Sequence, residues 1–144
     1  MFTHGLVSDG ILTNGFCREE FDNFATLEIF NMPANPSANL VVVFSTAGSP
    51  EEARRIATAL IAEQLAACVN IVDNIHSVYQ WQGEIHSSSE SLLLIKTRAN
   101  LIPAIDSRLR ELHSYDIPEL VAIPIVGGAQ SYLDWLISST SPQK

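Results

Sequence analysis

The chain has little that is basic and little that reacts. Eight Lys and Arg stand against sixteen Asp and Glu, a formal net charge of −8. A surface of that sign repels phosphate backbones, which argues against nucleic acid as a partner. Cys17 and Cys68 are the two cysteines, too few for a disulfide framework. Two reduced thiols in a cytoplasmic protein are the expectation. No apolar run approaches the roughly 18 residues that a membrane-spanning helix needs, so no membrane partner is expected. Catalytic signatures are missing as well. The chain has no G-x-x-x-x-G-K-[ST], no G-x-G-x-x-G opening a helix, no C-x-x-C, no H-E-x-x-H and no G-x-S-x-G. Gly127-Gly128 is read as a plain strand exit, because a Gly pair marks a turn far more often than a ligand loop. A nucleophile, a base and oxyanion donors do not occur together, so no enzymatic turnover is expected.

What is present is core. The sequence is 144 residues long and 47% hydrophobic, enough for one domain and too apolar for a disordered chain. Residues 1–38 read differently from residues 39–144. They carry Asp9, Glu19, Glu20, Asp22 and Glu28 against Arg18 alone. A secretory signal wants a basic start and a continuous apolar stretch, and a transit peptide avoids acids. The segment fits neither and is taken as an extension. Asn31 to Ala38, with Pro33 and Pro36, reads as a linker, and Met32 is a candidate natural start.

From Leu40 the pattern alternates between strand and helix. Leu40 to Phe44 is a β-branched run, a buried strand ended by Ser45-Thr46-Ala47-Gly48. Ser49-Pro50-Glu51-Glu52 opens a helix. Ser49 caps it, Pro50 suits its first position and Glu52 completes a capping box. Ala53, Ile56, Ala57, Leu60, Ile61 and Leu65 then form one stripe. Cys68 to Trp81 reads as a long strand bent near Asp73-Asn74. Gln82-Gly83 is a hairpin turn, and Glu84 to Thr97 returns. A second helix spans about Asn100 to His113, with Pro103 in its first turn. Leu120 to Val126 is a fourth strand, placed partly on an edge by Pro124. Ser131 to Ile137 is a short last helix. The order βαββαβ predicts an α+β, ferredoxin-like sandwich: a four-stranded antiparallel sheet, two helices on one face and a C-terminal helix. Strands of about 14 residues exceed the usual 5–6, and Tyr79 and Trp81 sit near a polar hairpin tip. Both features point to a partner, met by a closed ring of copies.

Three stretches carry a family likeness. The first is Leu65-Ala66-Ala67-Cys68-Val69-Asn70 running on to Tyr79-Gln80-Trp81-Gln82-Gly83. The second is Glu90 through Lys96-Thr97. The third is His113-Ser114-Tyr115-Asp116-Ile117-Pro118-Glu119. Their order and spacing resemble the CutA family of divalent-ion tolerance proteins, from about Leu40 to Ile137. The resemblance implies the same fold, a homotrimer with sheets joined around a threefold axis, and a role in metal-ion tolerance through bound divalent cations. The family's H-x-Y-x-x-P-E segment matches His113, Tyr115, Pro118 and Glu119.

His113, Glu119 and Cys68 are accordingly the candidate metal ligands. Imidazole, carboxylate and thiolate suit copper, zinc or nickel better than calcium. Cu(II) is expected first and other divalent ions second, with no organic cofactor. Each residue also has an ordinary role. Cys68 stands among Leu65, Ala66 and Ala67, and free Cys is often buried. His113 at a helix end suits the helix dipole. Glu119 can pair with a neighbouring chain's cation. Some relatives have a cysteine where this chain has Ser45, a poor soft-metal ligand. Glu90 and Lys96 share a strand face and are expected as a buried or interface ion pair, or as ligand anchors in an intersubunit cleft. His76 and His86 are read as solvent-facing. The rival functions are a small-ligand sensor resembling the PII signalling trimers, a structural trimer presenting a surface, and an enzyme using the His113/Glu119 loop.

Residues 1–31 lack a clear apolar period and precede a linker with two prolines. Their deletion is expected to leave the melting temperature unchanged by differential scanning fluorimetry. A large drop would show that the segment packs on the domain.

Overall fold

The computed structural model of the chain describes residues 39–141. The expected boundary between residues 1–38 and the domain lies outside those residues, as do Cys17 and Met32. The elements run β1 (Leu40–Ala47), α1 (Pro50–Ala62), β2 (Cys68–Trp81), β3 (Glu84–Arg98), a 3-10 turn (Ala99–Leu101), α2 (Ile102–Leu112), β4 (Val121–Pro124) and α3 (Gln130–Ser139). The sheet order is β2-β3-β1-β4, and every neighbouring pair is antiparallel. α1 and α2 each carry the chain between strands separated by one other strand, the split crossover of the ferredoxin-like arrangement.

Local chemistry sets the element ends. Ser49 is extended at φ −152°, and its Oγ accepts the Glu52 N–H at 3.2 Å, so α1 begins where the cap and Pro50 require. Gln64 at φ 56° closes the helix, and the Leu65 N–H returns to the Leu60 carbonyl at 2.9 Å. Of the expected stripe, Ala53, Ile56 and Leu60 are fully buried, Ile61 is 42% exposed, and Leu65 lies beyond the helix. The bend expected near Asp73-Asn74 is a bulge between Val72 and Ile75, with Asn74 at φ 61°. Gln82 (φ 51°) and Gly83 (φ 86°) are both left-handed, the demand of a type I′ hairpin turn. The fourth strand is shorter than the expected Leu120–Val126. Pro124 sits opposite Val41 on the edge strand, where its missing N–H is tolerated, and the Ile125 N–H still donates to the Leu40 carbonyl at 2.9 Å.

The two sheet faces differ. Val41, Val43, Ala47, Leu93 and Ile95 pack with Ala53, Ile56 and Leu60 of α1 and Ile105 and Leu109 of α2. The alternate residues turn the other way. Val42, Phe44, Leu92 and Leu94 are half-buried there. Val72, Val121 and Ile123 on the same face are 45%, 53% and 47% exposed. α3 covers one end of this face, where Leu133 and Leu136 pack on Leu40. The rest is an uncovered apolar surface. β1 ends opposite Ser91, so β2 and β3 run on as a two-stranded ribbon to the Gln82-Gly83 turn.

Ile56 is fully buried at the centre of the helix-facing core. Ile56→Ala is expected to cost about 2–5 kcal/mol in urea unfolding, the range for removing a buried Ile side chain.

Candidate functional site

The loop after α2 is pinned by two side chains. His113 ends α2, and its side chain has no solvent exposure. Its Nε2 lies 2.6 Å from the Thr46 carbonyl and its Nδ1 lies 3.0 Å from the Tyr115 N–H. A carbonyl can only accept and a backbone N–H can only donate. Both ring nitrogens are therefore spoken for, Nε2 by an acceptor and Nδ1 by a donor. The second pin is Glu52, on the first turn of α1 and 5% exposed. Its carboxylate accepts the Ser114 N–H at 2.6 Å, the Ser114 hydroxyl at 3.1 Å and the Gly48 N–H at 3.1 Å. The expected capping box is thus half reciprocal: Ser49 caps Glu52, but Glu52 reaches Gly48 and the distant loop. Burial pushes the Glu52 acid up from its ordinary 4.5, and the Ser114 donors, with His113 and Gly48, more than reverse this, so it is held low.

Tyr115 then turns over the end of β1. Its hydroxyl donates to Glu90 Oε1 at 2.8 Å. Burial, then the bond to Glu90, pushes this phenol up to about 12, so it is a lasting donor. A Cβ on Gly48 would lie 3.1 Å from that hydroxyl, and glycine leaves the room. Beyond the end of β1, the loop and the hairpin ribbon enclose a groove of about 720 Å³. Thr46, Ser77, Tyr79, Glu90 and Tyr115 line it, and Trp81, His86, Asp116, Pro118 and Glu119 complete the walls. The His86 and Tyr79 rings stack at 5.8 Å.

The three expected ligands are not brought together. Glu119 is exposed on the groove wall. His113 is two residues from that wall's Tyr115 but buried beneath it, with no free lone pair to give a metal. Cys68 opens β2 opposite Lys96, whereas the carbonyl that holds His113 belongs to Thr46, opposite Leu92. Four residues of β3 separate those positions, roughly 13 Å along the strand. Cys68 lies instead 3.9 Å from the Lys96 ammonium, and the Tyr132 hydroxyl faces it. Among the described residues no group of three or more His, Cys, Asp or Glu side chains is placed to hold a metal ion. Ser45 faces the helices, fully buried, with its hydroxyl unpartnered. Glu90 and Lys96 do not pair with each other within the chain. Both point to one face, but Glu90 is bonded by Tyr115 and Lys96 by the Asn70 side chain. Six residues of strand, roughly 20 Å, keep them apart within the chain. Glu52 went unread as a site residue: its spacing from Ser49 marks a cap, and nothing local marks a bond to a loop 62 residues away.

Comparison with known proteins follows the same stretch of chain. The CutA1 divalent ion tolerance protein family matches residues 41–139. The chloroplastic CutA of Arabidopsis thaliana is 46% identical over 100 residues, which are 69% of this chain and 55% of that protein. The divalent-cation tolerance protein CutA of Thermus thermophilus is 50% identical over 99 residues, 69% of this chain and 96% of that protein. The match thus spans about half the length of the plant relative and nearly all of the bacterial one. The solved structure of CutA1 from Oryza sativa superposes with a TM-score of 0.71 at 44% identity, covering 74% of this chain and 97% of that one. The Thermus thermophilus structure superposes at 0.69 with 49% identity, over 71% and 99% of the two chains.

Glu52 contributes stability as a carboxylate with a folded pKa below its ordinary 4.5. That contribution is complete above about pH 4.5 and is lost as pH falls through the lower, folded value. Glu52→Gln is expected to cost about 2–3 kcal/mol at neutral pH. It should also flatten the fall in stability below pH 4.5. Urea titrations from pH 3 to 7 measure both, and an unflattened acid limb would remove Glu52 from this role.

Proposed function

Because this chain belongs to the CutA1 divalent ion tolerance family, we propose that it is a divalent-cation tolerance protein working as a homotrimer, by binding rather than by turnover. The uncovered apolar face of the sheet is the observation that carries the assembly. Val72, Val121 and Ile123 stand half-exposed beside Phe44 and Leu94 on a face that a second copy can cover. Burying such a face stabilises by roughly 25 cal/mol for each Å² removed from water. The two-stranded ribbon reaches past the end of β1 and gives a neighbour further surface.

Cation binding in this reading falls to the exposed carboxylates of the loop, Asp116 and Glu119, helped by a net charge of −8. Cu(II) remains the first ion to test, with other divalent ions after it. His113 can join only by giving up the Thr46 and Tyr115 bonds, which makes imidazole ligation costly. Weak, exchangeable binding follows from so few ready donors. A cytoplasmic site of action is part of the same proposal.

Native mass spectrometry during a Cu(II) titration tests ring and ion together. Three copies are expected, and Ile123→Glu is expected to release monomers by placing a charge on the covered face. Glu119→Gln should lower copper uptake, while Cys68→Ser should leave it unchanged. A monomer mass for the natural chain overturns the assembly, and uptake that depends on Cys68 overturns the placing of the cation.

A further inference from the structure

Glu90 is 6% exposed and holds a carboxylate in a buried place. Tyr115 satisfies one oxygen with a neutral donor. Among the described residues no Lys, Arg or His lies within ion-pair distance of it, although five other acids of the domain have such partners. A cation brought against a carboxylate on a recessed wall is attracted more strongly than in open water. Glu90 is also part of the wall of the groove, so a counter-charge can reach it from solvent.

The remaining walls describe that counter-charge. Tyr115, Tyr79 and Trp81 present aromatic rings, and Asp116 and Glu119 add carboxylates at the loop side. The basic side chain on the walls, His86, stacks on Tyr79 rather than pairing with Glu90. The volume, about 720 Å³, is that of a small-molecule pocket. Rings attract a cation over their faces, and the attraction is greatest for cations that shed water readily. A metal ion would need several oxygen, nitrogen or sulfur donors around one point, and no three such side chains are so placed among the described residues. An alkylammonium needs only a carboxylate and ring faces.

We propose that this groove binds a small organic ammonium cation, with Glu90 as the counter-charge, Tyr79, Trp81 and Tyr115 as the ring walls, and Glu119 at the rim. The inference stands on the groove, which shares Glu119 with the proposed copper site, so the ammonium titrations are run without copper. Trp81 and Tyr79 line the groove within one copy. Because a closed ring of copies of this chain is proposed, the assembled full chain is the species to test and its oligomeric mass is checked for Trp81→Ala.

The probes are tetramethylammonium and 1,4-diaminobutane, titrated by calorimetry and by thermal shift at fixed ionic strength. Sodium chloride and the neutral isostere 3,3-dimethyl-1-butanol are the controls. Saturable binding of at least one ammonium is expected, with a rise in melting temperature by linkage and no saturable binding of the controls. Trp81→Ala should weaken binding by about tenfold, the effect of losing one ring contact at a partly desolvated site. Glu90→Gln should abolish it. Glu119→Gln, at an exposed position that folding does not need, should weaken it severalfold and keeps the test open if Glu90→Gln fails to fold. No saturable binding by either ammonium overturns the proposal, as does equal binding of the neutral isostere or affinity unchanged in the Glu119 and Trp81 variants. A lysine or arginine of a second copy found against Glu90 in a crystal of the trimer also overturns it. Ammonium binding lost while the trimer and its copper uptake persist would sink this inference alone.

Discussion

One buried carboxylate ties the molecule together. Glu52 caps nothing by itself, yet it takes hydrogen bonds from Gly48 at the exit of β1 and from Ser114 at the exit of α2. Without those donors, burial would push the acid towards its neutral form, and the loop after α2 would lose its anchor. His113 adds the second tie, from the same loop to the Thr46 carbonyl. The loop's path fixes Tyr115 over Gly48 and delivers its hydroxyl to Glu90. The groove is a consequence of that chain of contacts: it exists because the loop is held against the end of β1 while the ribbon continues past it.

A short first strand beside two long ones has a second consequence. The helices cover one sheet face, and α3 covers only the end of the other. An apolar surface and a projecting ribbon are left, both at odds with a solitary domain of this size. The proposed assembly and the proposed ligand groove both draw on one geometric fact, the mismatch in strand length. Glu52, His113 and Ser114 are committed to holding the loop in place.

The fold was legible because its signals are local. Ser49 and Pro50 start a helix wherever they stand before an apolar stripe, and Gln82-Gly83 turns a hairpin because Gly accepts a positive φ. Asn74 marks the bulge for a related reason, since Asn tolerates the left-handed region. Pro124 announced an edge by its missing N–H. The errors at this level were small. The run Leu120–Val126 reads as strand throughout, but the paired register covers only Val121 to Pro124, with one further bond from the Ile125 N–H to the Leu40 carbonyl.

The His113–Glu119 loop was legible as a segment, while its anchor Glu52 and its arrangement were not. From the chain alone follow the sandwich, the two long central strands, the acidic surface and the His113–Glu119 segment. These rest on side-chain period, turn chemistry and charge, which act between near neighbours. Tertiary structure decided the rest. It buried the His113 ring with both nitrogens bonded, set Cys68 beside Lys96 at the far end of the sheet, and gave Glu90 a tyrosine in place of Lys96. Those outcomes depend on which strand lies between which, and on where a loop 62 residues from Glu52 comes to rest. No local rule encodes such a meeting, because it is settled by the packing of the whole sheet against its helices.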